Sequence, residues 1–420
     1  MAHPSTPDSP PAPLRRLPVV DLRASLEPLT PALSAAATRV ITGARFILGP
    51  EVAAFETEVA EFLGGTHAVG VSSGTDALFL ALAALGVGPG DEVLVPAFGF
   101  VATAEAVVRT GAEPRFVDVR PGCGRMDLDA ADRAWTTRTR ALIHVPLGGH
   151  AAGTAEAARF ASAHGVRLVE DAAQSFGAAD QGRAVGTHGD VGTFSFFPAK
   201  ILGGFGDGGL VVTRDGDVAE RVRSLRQHGR DSTGRFVHAG ANARLDELQA
   251  ALLRVRLAAL PAELEARRIL AHAYTDSLVS RGLASPPECA CTGEGHGARH
   301  ALVLPPACTA LHGLYTVLVP DRATREGLQQ HLSDSGIDTA VYYARLVADE
   351  PRFSPLASRT SGAPLADAFP GARLRSARAL TLPFFPGMDP GADVTRVAES
   401  LAAFFAQEGG PWPAPAGRGR

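Results

Sequence analysis

Between residues 76 and 213, short runs rich in apolar and β-branched residues alternate with helix-length segments, and this alternation most limits how the chain can fold. Strand-like runs fall at 93–95, 115–119, 141–145, 167–169, 193–197 and 210–213, with helix-like stretches at 76–85, 103–109 and 154–163. Turns rich in Gly and Pro, such as Gly86-Val87-Gly88-Pro89-Gly90, separate them. Parallel strands need crossover connections, so strands spaced by helices specify an α/β fold with a mostly parallel central sheet and helices on both faces. Such sheets place their ligands just beyond the carboxyl ends of the strands. An amphipathic stretch at 22–63 precedes this region, and past residue 260 the pattern changes. Helical runs at 263–279 and 324–335, with strand-like runs at 315–319 and 339–343, read as a smaller C-terminal α+β domain. The organisation expected is a disordered Pro-rich tail at 1–17, a large domain at 18–260, a small domain at 261–406 and a disordered tail at 407–420.

Composition removes several classes of function. With 40 basic against 44 acidic residues the net charge is −4, which leaves no electrostatic footprint for nucleic acid. No uncharged apolar run is long enough to span a membrane, and the first residues lack the apolar centre of a secretory signal. Four cysteines in 420 residues do not make a disulfide framework, so a soluble cytoplasmic protein is expected. Lys200 is the only lysine; every other basic residue is arginine. A guanidinium stays protonated at any workable pH, whereas an amine can lose its proton and become a nucleophile. The retained lysine therefore either does a job arginine cannot do or survives by chance on the surface, and its neighbourhood must decide.

Three motifs fall at the expected strand ends. Ser72-Ser73-Gly74-Thr75-Asp76 is a small-residue turn leading into a helix, which makes a phosphate cradle or an ordinary helix cap. Glu170-Asp171-Ala172-Ala173-Gln174 follows the strand at 167–169 and puts a carboxylate where it can hold a protonated ring nitrogen, or again cap a helix. Lys200 itself ends an apolar run, Thr193 to Ala199, and precedes the Gly-rich 203–209. Apolar surroundings lower a lysine pKa, which is how Schiff-base lysines become reactive. Cradle, strand-end aspartate and buried lysine together fit pyridoxal 5′-phosphate (PLP).

At these residues the chain resembles the DegT/DnrJ/EryC1/StrS sugar aminotransferases, which are fold-type I PLP enzymes. The resemblance runs from about residue 19 to 405. It takes in FILGPEVAAFE, SSGTDAL, GVGPGDEVLVPAFGFVATAEAV, GAEPRFVDV, EDAAQSFGA, TFSFFPAK, GDGG, NARLDELQAA and LTLPFFPGM in order. It implies that Lys200 carries the cofactor and shuttles protons, and that Asp171 pairs with the pyridinium nitrogen. Gln174 would contact the ring hydroxyl, Phe100 would stack on the ring, and Gly74, Thr75 and Ser195 would bind the phosphate. Asn242 would reach that phosphate from the neighbouring subunit of a homodimer with a shared active site. Relatives that dehydrate or deoxygenate sugars carry His at the lysine position, so Lys200 favours transamination. An amino donor, usually glutamate in the family, would leave its nitrogen as pyridoxamine phosphate, and a keto sugar would then take it. The run FFPAKILGGFGDGG is similar to members acting at C3 of a nucleotide-linked 3-keto sugar rather than at C4. Two segments depart from the family pattern: His144-Val145-Pro146-Leu147-Gly148-Gly149 lacks an aromatic at Gly148, and Tyr342-Tyr343-Ala344-Arg345 replaces a His-Tyr-Pro run. These departures keep a cyclitol (keto-inositol) aminotransferase and a non-catalytic PLP-fold sensor or scaffold open as alternatives.

Other features read as structural. Cys289 and Cys291 with His296 and His300 lack the spacing of common zinc sites, and no metal is expected. Arg221, Arg223, Arg226 and Arg230 read as a solvated helix and its end, with Arg230 a candidate for a substrate diphosphate.

Overall fold

The computed structural model describes residues 15–288, 300–308 and 311–407. Three helices come first: α1 (Leu22–Leu26), α2 (Thr30–Gly43) and α3 (Pro50–Phe62). There follow β1 (His67–Val71), α4 (Gly74–Ala84), β2 (Glu92–Pro96), α5 (Ala102–Arg109), β3 (Glu113–Val117), α6 (Leu128–Ala134), β4 (Thr139–His144), α7 (Thr154–Ala163) and β5 (Arg167–Asp171). A two-residue hairpin, β6 (Ala179–Asp180) and β7 (Arg183–Ala184), leads to β8 (Val191–Ser195), β9 (Gly209–Thr213) and α8 (Gly216–Leu225). The sheet runs β1-β9-β8-β5-β4-β2-β3, and only β9 is antiparallel to its neighbours. The α/β class with a mostly parallel sheet is thus present. Strands β2 and β9 are buried along their whole length, as expected for a sheet covered on both faces.

The C-terminal part holds α9 (Glu247–Ser280), β10 (Tyr315–Leu318), α10 (Arg322–Asp334), α11 (Ser354–Ser361), α12 (Pro370–Arg378), β11 (Ala379–Leu382) and α13 (Ala392–Gln407), with β10 and β11 paired antiparallel. Helix α9 is 34 residues long and passes straight through position 260, with Pro261 inside it. Its Leu253, Leu257 and Leu260 pack with Phe194 and Phe196 of the large sheet, whereas Leu270, Tyr274 and Leu278 pack with Tyr315, Phe384 and Phe404. The two cores do not divide at one point of the chain. Leu17 packs with the second core, and Val347, Phe353 and Phe369 come back to the large sheet, where they pack in a separate cluster with Val95 and Phe116.

The structure corrects two local readings. Residues 339–343 form no strand; a single bridge joins Ala340 to Thr381, and a turn follows at Tyr342 and Tyr343, whose side chains line a cavity instead of a ladder. Arg226 is not solvated: it is buried, with Nη1 2.6 Å from Glu56 Oε1 and 2.7 Å from the Gly70 carbonyl. Arg221 and Arg230 remain exposed. Among the described residues no helix is long and apolar enough to cross a membrane.

Candidate active site

Strand β1 delivers the chain to Ser73, whose extended backbone and side chain cap α4: Ser73 Oγ accepts from the Asp76 N–H at 3.0 Å. The first N–H groups of a helix have no intrahelical acceptors, so this turn presents donors past the sheet edge. Glycine is required there. A Cβ on Gly74 would lie 2.6 Å from Ser195 Cβ, and one on Gly209 would lie 2.2 Å from the Ser73 carbonyl oxygen. The ends of β1, β8 and β9 are packed that closely.

Strand β5 ends at Asp171, which is buried and accepts Thr103 Oγ–H at 2.7 Å and the Ala173 N–H at 3.3 Å. Burial pushes its carboxyl above the ordinary range; the Thr103 and Ala173 bonds and the Lys200 charge pull it back. Glu170 precedes it and, by strand alternation, faces the other way. It accepts N–H bonds from Gly186 at 2.6 Å and Gly189 at 2.7 Å, anchoring that loop. Lys200 follows β8 in a tight turn. Its N–H bonds the Phe197 carbonyl at 2.8 Å, and a Cβ on Gly203 would meet the Pro198 carbonyl oxygen at 2.1 Å. Burial pushes the Lys200 amine below its ordinary value, and Asp171 partly restores it. The amine is thereby brought closer to the neutral, nucleophilic form.

These groups share one cavity of about 480 Å³, within the usual size for a cofactor and substrate site. Lys200, Asp171, Gln174, Gly74, Thr75, Ser195 and Phe100 all line it. Asn242 does not: it is exposed, and its backbone bridges Gln227. Gln174 is held at both ends of its amide, with Oε1 accepting the Gly148 N–H at 2.8 Å and Nε2 donating to the Tyr343 hydroxyl at 2.9 Å. Phe100 is 56% exposed, and its ring centroid lies 6.1 Å from that of Tyr343.

Several contributors escaped the sequence reading. Thr103 lies inside the quoted PAFGFVAT run, yet nothing in its spacing shows a hydroxyl aimed at Asp171. Tyr343, Gly313 and Leu314 reach the cavity through tertiary packing alone, and Asp207 through the Gly-rich run that follows Lys200. Gly148, with φ of +65°, lies beside the cavity and not on it. It lines a small pocket of about 40 Å³ that shares Leu147, Leu314 and Tyr342 with the large one. Its carbonyl accepts the Gly313 N–H at 2.8 Å, which ties the second core to the Gln174 side of the cavity. Cys289, Cys291 and His296 lie outside the described residues; His300 Nδ1 is 3.4 Å from the Gly282 carbonyl. Among the described residues no cluster of His, Cys, Asp or Glu is arranged to hold a metal ion.

A family model for the DegT/DnrJ/EryC1/StrS aminotransferases matches residues 29–402. The chain belongs to this family. It is an enzyme with the fold-type I architecture of PLP-dependent aminotransferases. The crystal structure of Streptomyces venezuelae DesV in complex with a ketimine intermediate superposes with a TM-score of 0.83 at 38% identity, covering 93% of this chain and 98% of that one. The dTDP-3-amino-3,4,6-trideoxy-α-D-glucose transaminase of S. venezuelae is 40% identical over 376 residues, covering 89% of this chain and 92% of its own. The UDP-N-acetyl-3-dehydro-α-D-glucosamine 3-aminotransferase of Acidithiobacillus ferrooxidans is 39% identical over 370 residues, covering 88% and 93%. The residues of this family member fit PLP: a cradle that a Cβ would fill, a buried carboxylate and a half-buried lysine meet in one cavity.

Proposed function

We propose that this enzyme uses PLP to transfer an amino group, from glutamate, to a nucleotide-linked 3-keto sugar in amino-sugar biosynthesis. The observation that carries the reading is the shared burial of Lys200 and Asp171 in a cavity floored by the Ser73–Thr75 turn. PLP, when bound, supplies an electron sink that makes the hydrogen on the nitrogen-bearing carbon removable. The protein does the rest. Lys200 Nζ holds the cofactor and takes and returns that proton. Asp171, fixed by Thr103, holds positive charge on the ring nitrogen. Gln174 has an amide hydrogen left for the ring hydroxyl, Phe100 covers the ring face, and the N–H groups of Gly74 and Thr75 with the Ser195 hydroxyl take the phosphate.

The relatives named above are described by an amino group at sugar C3, which supports C3 over C4. Asn242 lies away from its own cavity, which supports its delivery to a second subunit in a homodimer. Among the described residues lining the cavity Lys200 is the only cation, so a nucleotide diphosphate would be met at the rim or by the partner. The same shortage of cations favours a second reading, an uncharged keto-inositol acceptor, and side-by-side assays of the two acceptors separate them. The first test is the visible absorption of the protein with PLP, before and after glutamate, beside Lys200→Ala. The expected result is a Lys200-dependent band that glutamate bleaches; turnover retained in Lys200→Ala would sink the assignment.

A further inference from the structure

None of the groups at the phosphate cradle carries a positive charge, yet the same turn carries a negative one. Asp76 sits in the first turn of α4, directly after Gly74 and Thr75. Its Oδ2 accepts Ser72 Oγ–H at 2.5 Å, its N–H donates to Ser73 Oγ at 3.0 Å, and its Oδ1 accepts from Arg109 Nη1 at 2.8 Å. The carboxylate thus ties Ser72 to the helix, while the backbone N–H of the same residue ties Ser73. Left bare, it would also repel any dianion bound at Gly74 and Thr75, and it would compete for the positive end of the α4 dipole. Arg109, from the last turn of α5, answers that charge. Its guanidinium is held a second time over the Phe79 ring, 4.3 Å from the centroid. Phe79 is on α4 itself, so the cation is fixed to the helix whose first turn it neutralises.

We propose that Arg109 is a positioning residue of the phosphate cradle: it balances Asp76, so that the carboxylate can order the Ser72–Thr75 turn without repelling the cofactor's phosphate. The inference rests on the reading that this cradle takes the phosphate of PLP.

The test measures Kd for PLP and for pyridoxal, which has the same ring and aldehyde and no phosphate. The full-length protein is compared with Arg109→Met, Arg109→Lys, Asp76→Asn and the double variant Arg109→Met with Asp76→Asn. Methionine keeps an apolar stem over Phe79 and removes the charge together with the bond to Asp76. Arg109→Met should weaken PLP roughly fivefold or more and leave pyridoxal within about twofold, an effect that shrinks as salt is raised. Arg109→Lys should stay near wild type, and adding Asp76→Asn to Arg109→Met should recover PLP affinity. Equal weakening of both compounds, or no recovery in the double variant, would overturn the proposal and leave Arg109 a structural residue. Wild-type protein that binds neither compound would overturn the cofactor reading itself, and this inference with it.

Discussion

Removing one hydroxyl should move the acid limit of cofactor binding. Thr103→Val keeps the shape of the buried side chain and deletes the 2.7 Å bond to Asp171 Oδ2, leaving that carboxylate the longer 3.3 Å bond from Ala173. A hydrogen bond to a charged group contributes about 1.5–3 kcal/mol. At about 1.4 kcal/mol per unit of pKa, its loss raises the Asp171 carboxyl by a further one to two units, in the direction burial already drives it. The sign follows from linkage. A carboxyl whose folded pKa is above its unfolded value contributes stability at low pH that is lost as pH rises through the folded pKa. The apoprotein of Thr103→Val should therefore lose more stability than wild type between acid and neutral pH. On the proposed reading the ionised Asp171 would hold the ring nitrogen of the bound cofactor, so the low-pH limb of PLP affinity should shift upward by about one to two units. The other titrating groups facing Asp171 are Lys200 and the Tyr343 hydroxyl, which burial holds above the usual phenol range. Kd for PLP measured by absorbance from pH 5 to 9, with Thr103→Ser as the control that keeps the hydroxyl, decides the matter. An unmoved acid limb in Thr103→Val, or the same shift in Thr103→Ser, refutes the reasoning.

Three further outcomes are expected. Glu247 is buried and accepts the N–H groups of Gly49 at 2.6 Å, Glu51 at 2.9 Å and Val52 at 2.9 Å, so Glu247→Ala should cost about 3–5 kcal/mol by leaving them unpaired, and Glu247→Gln less, as read by denaturant unfolding. His144 is buried, and its pKa is pushed down to about 4 by burial and then by Arg125, so its contribution to stability is present above the ordinary histidine value and is lost as pH falls toward 4; His144→Phe should flatten that part of the stability profile, and an unchanged profile would count against it. Mixing Lys200→Ala chains with Asn242→Ala chains should restore activity that neither has alone, because one site of the mixed dimer then holds both residues; no recovery in verified heterodimers would show that the sites are not shared.

Much of the site was legible because its pieces are local. The Ser-Gly-Thr turn, the aspartate closing an apolar strand and the lysine after another are each set within a few residues, and strand polarity alone sends all three to the same sheet edge. The long helix α9 was harder. Its hydrophobic pattern serves one core and then the other, so periodicity could not show that a single helix spans residue 260. Residues 339–343 carry a strand-like run, but Tyr342 and Tyr343 are spent on lining the cavity. Arg226 reads as one more surface arginine until Glu56 and the Gly70 carbonyl, both far off in sequence, enclose it.

Sequence by itself determined the fold class, the order of the elements and the three chemical groups that meet at the sheet edge, since these follow from periodicity and residue type over short stretches. Tertiary structure alone decided how those groups are tuned. Thr103 and Asp171 are 68 residues apart, Gln174 and Tyr343 are 169 apart, and Glu247 and Gly49 are 198 apart. Such pairs meet only when the sheet and its helices have closed around them. A hydrogen bond's partner is fixed by the direction of two side chains in space, and no local pattern in the chain encodes that direction.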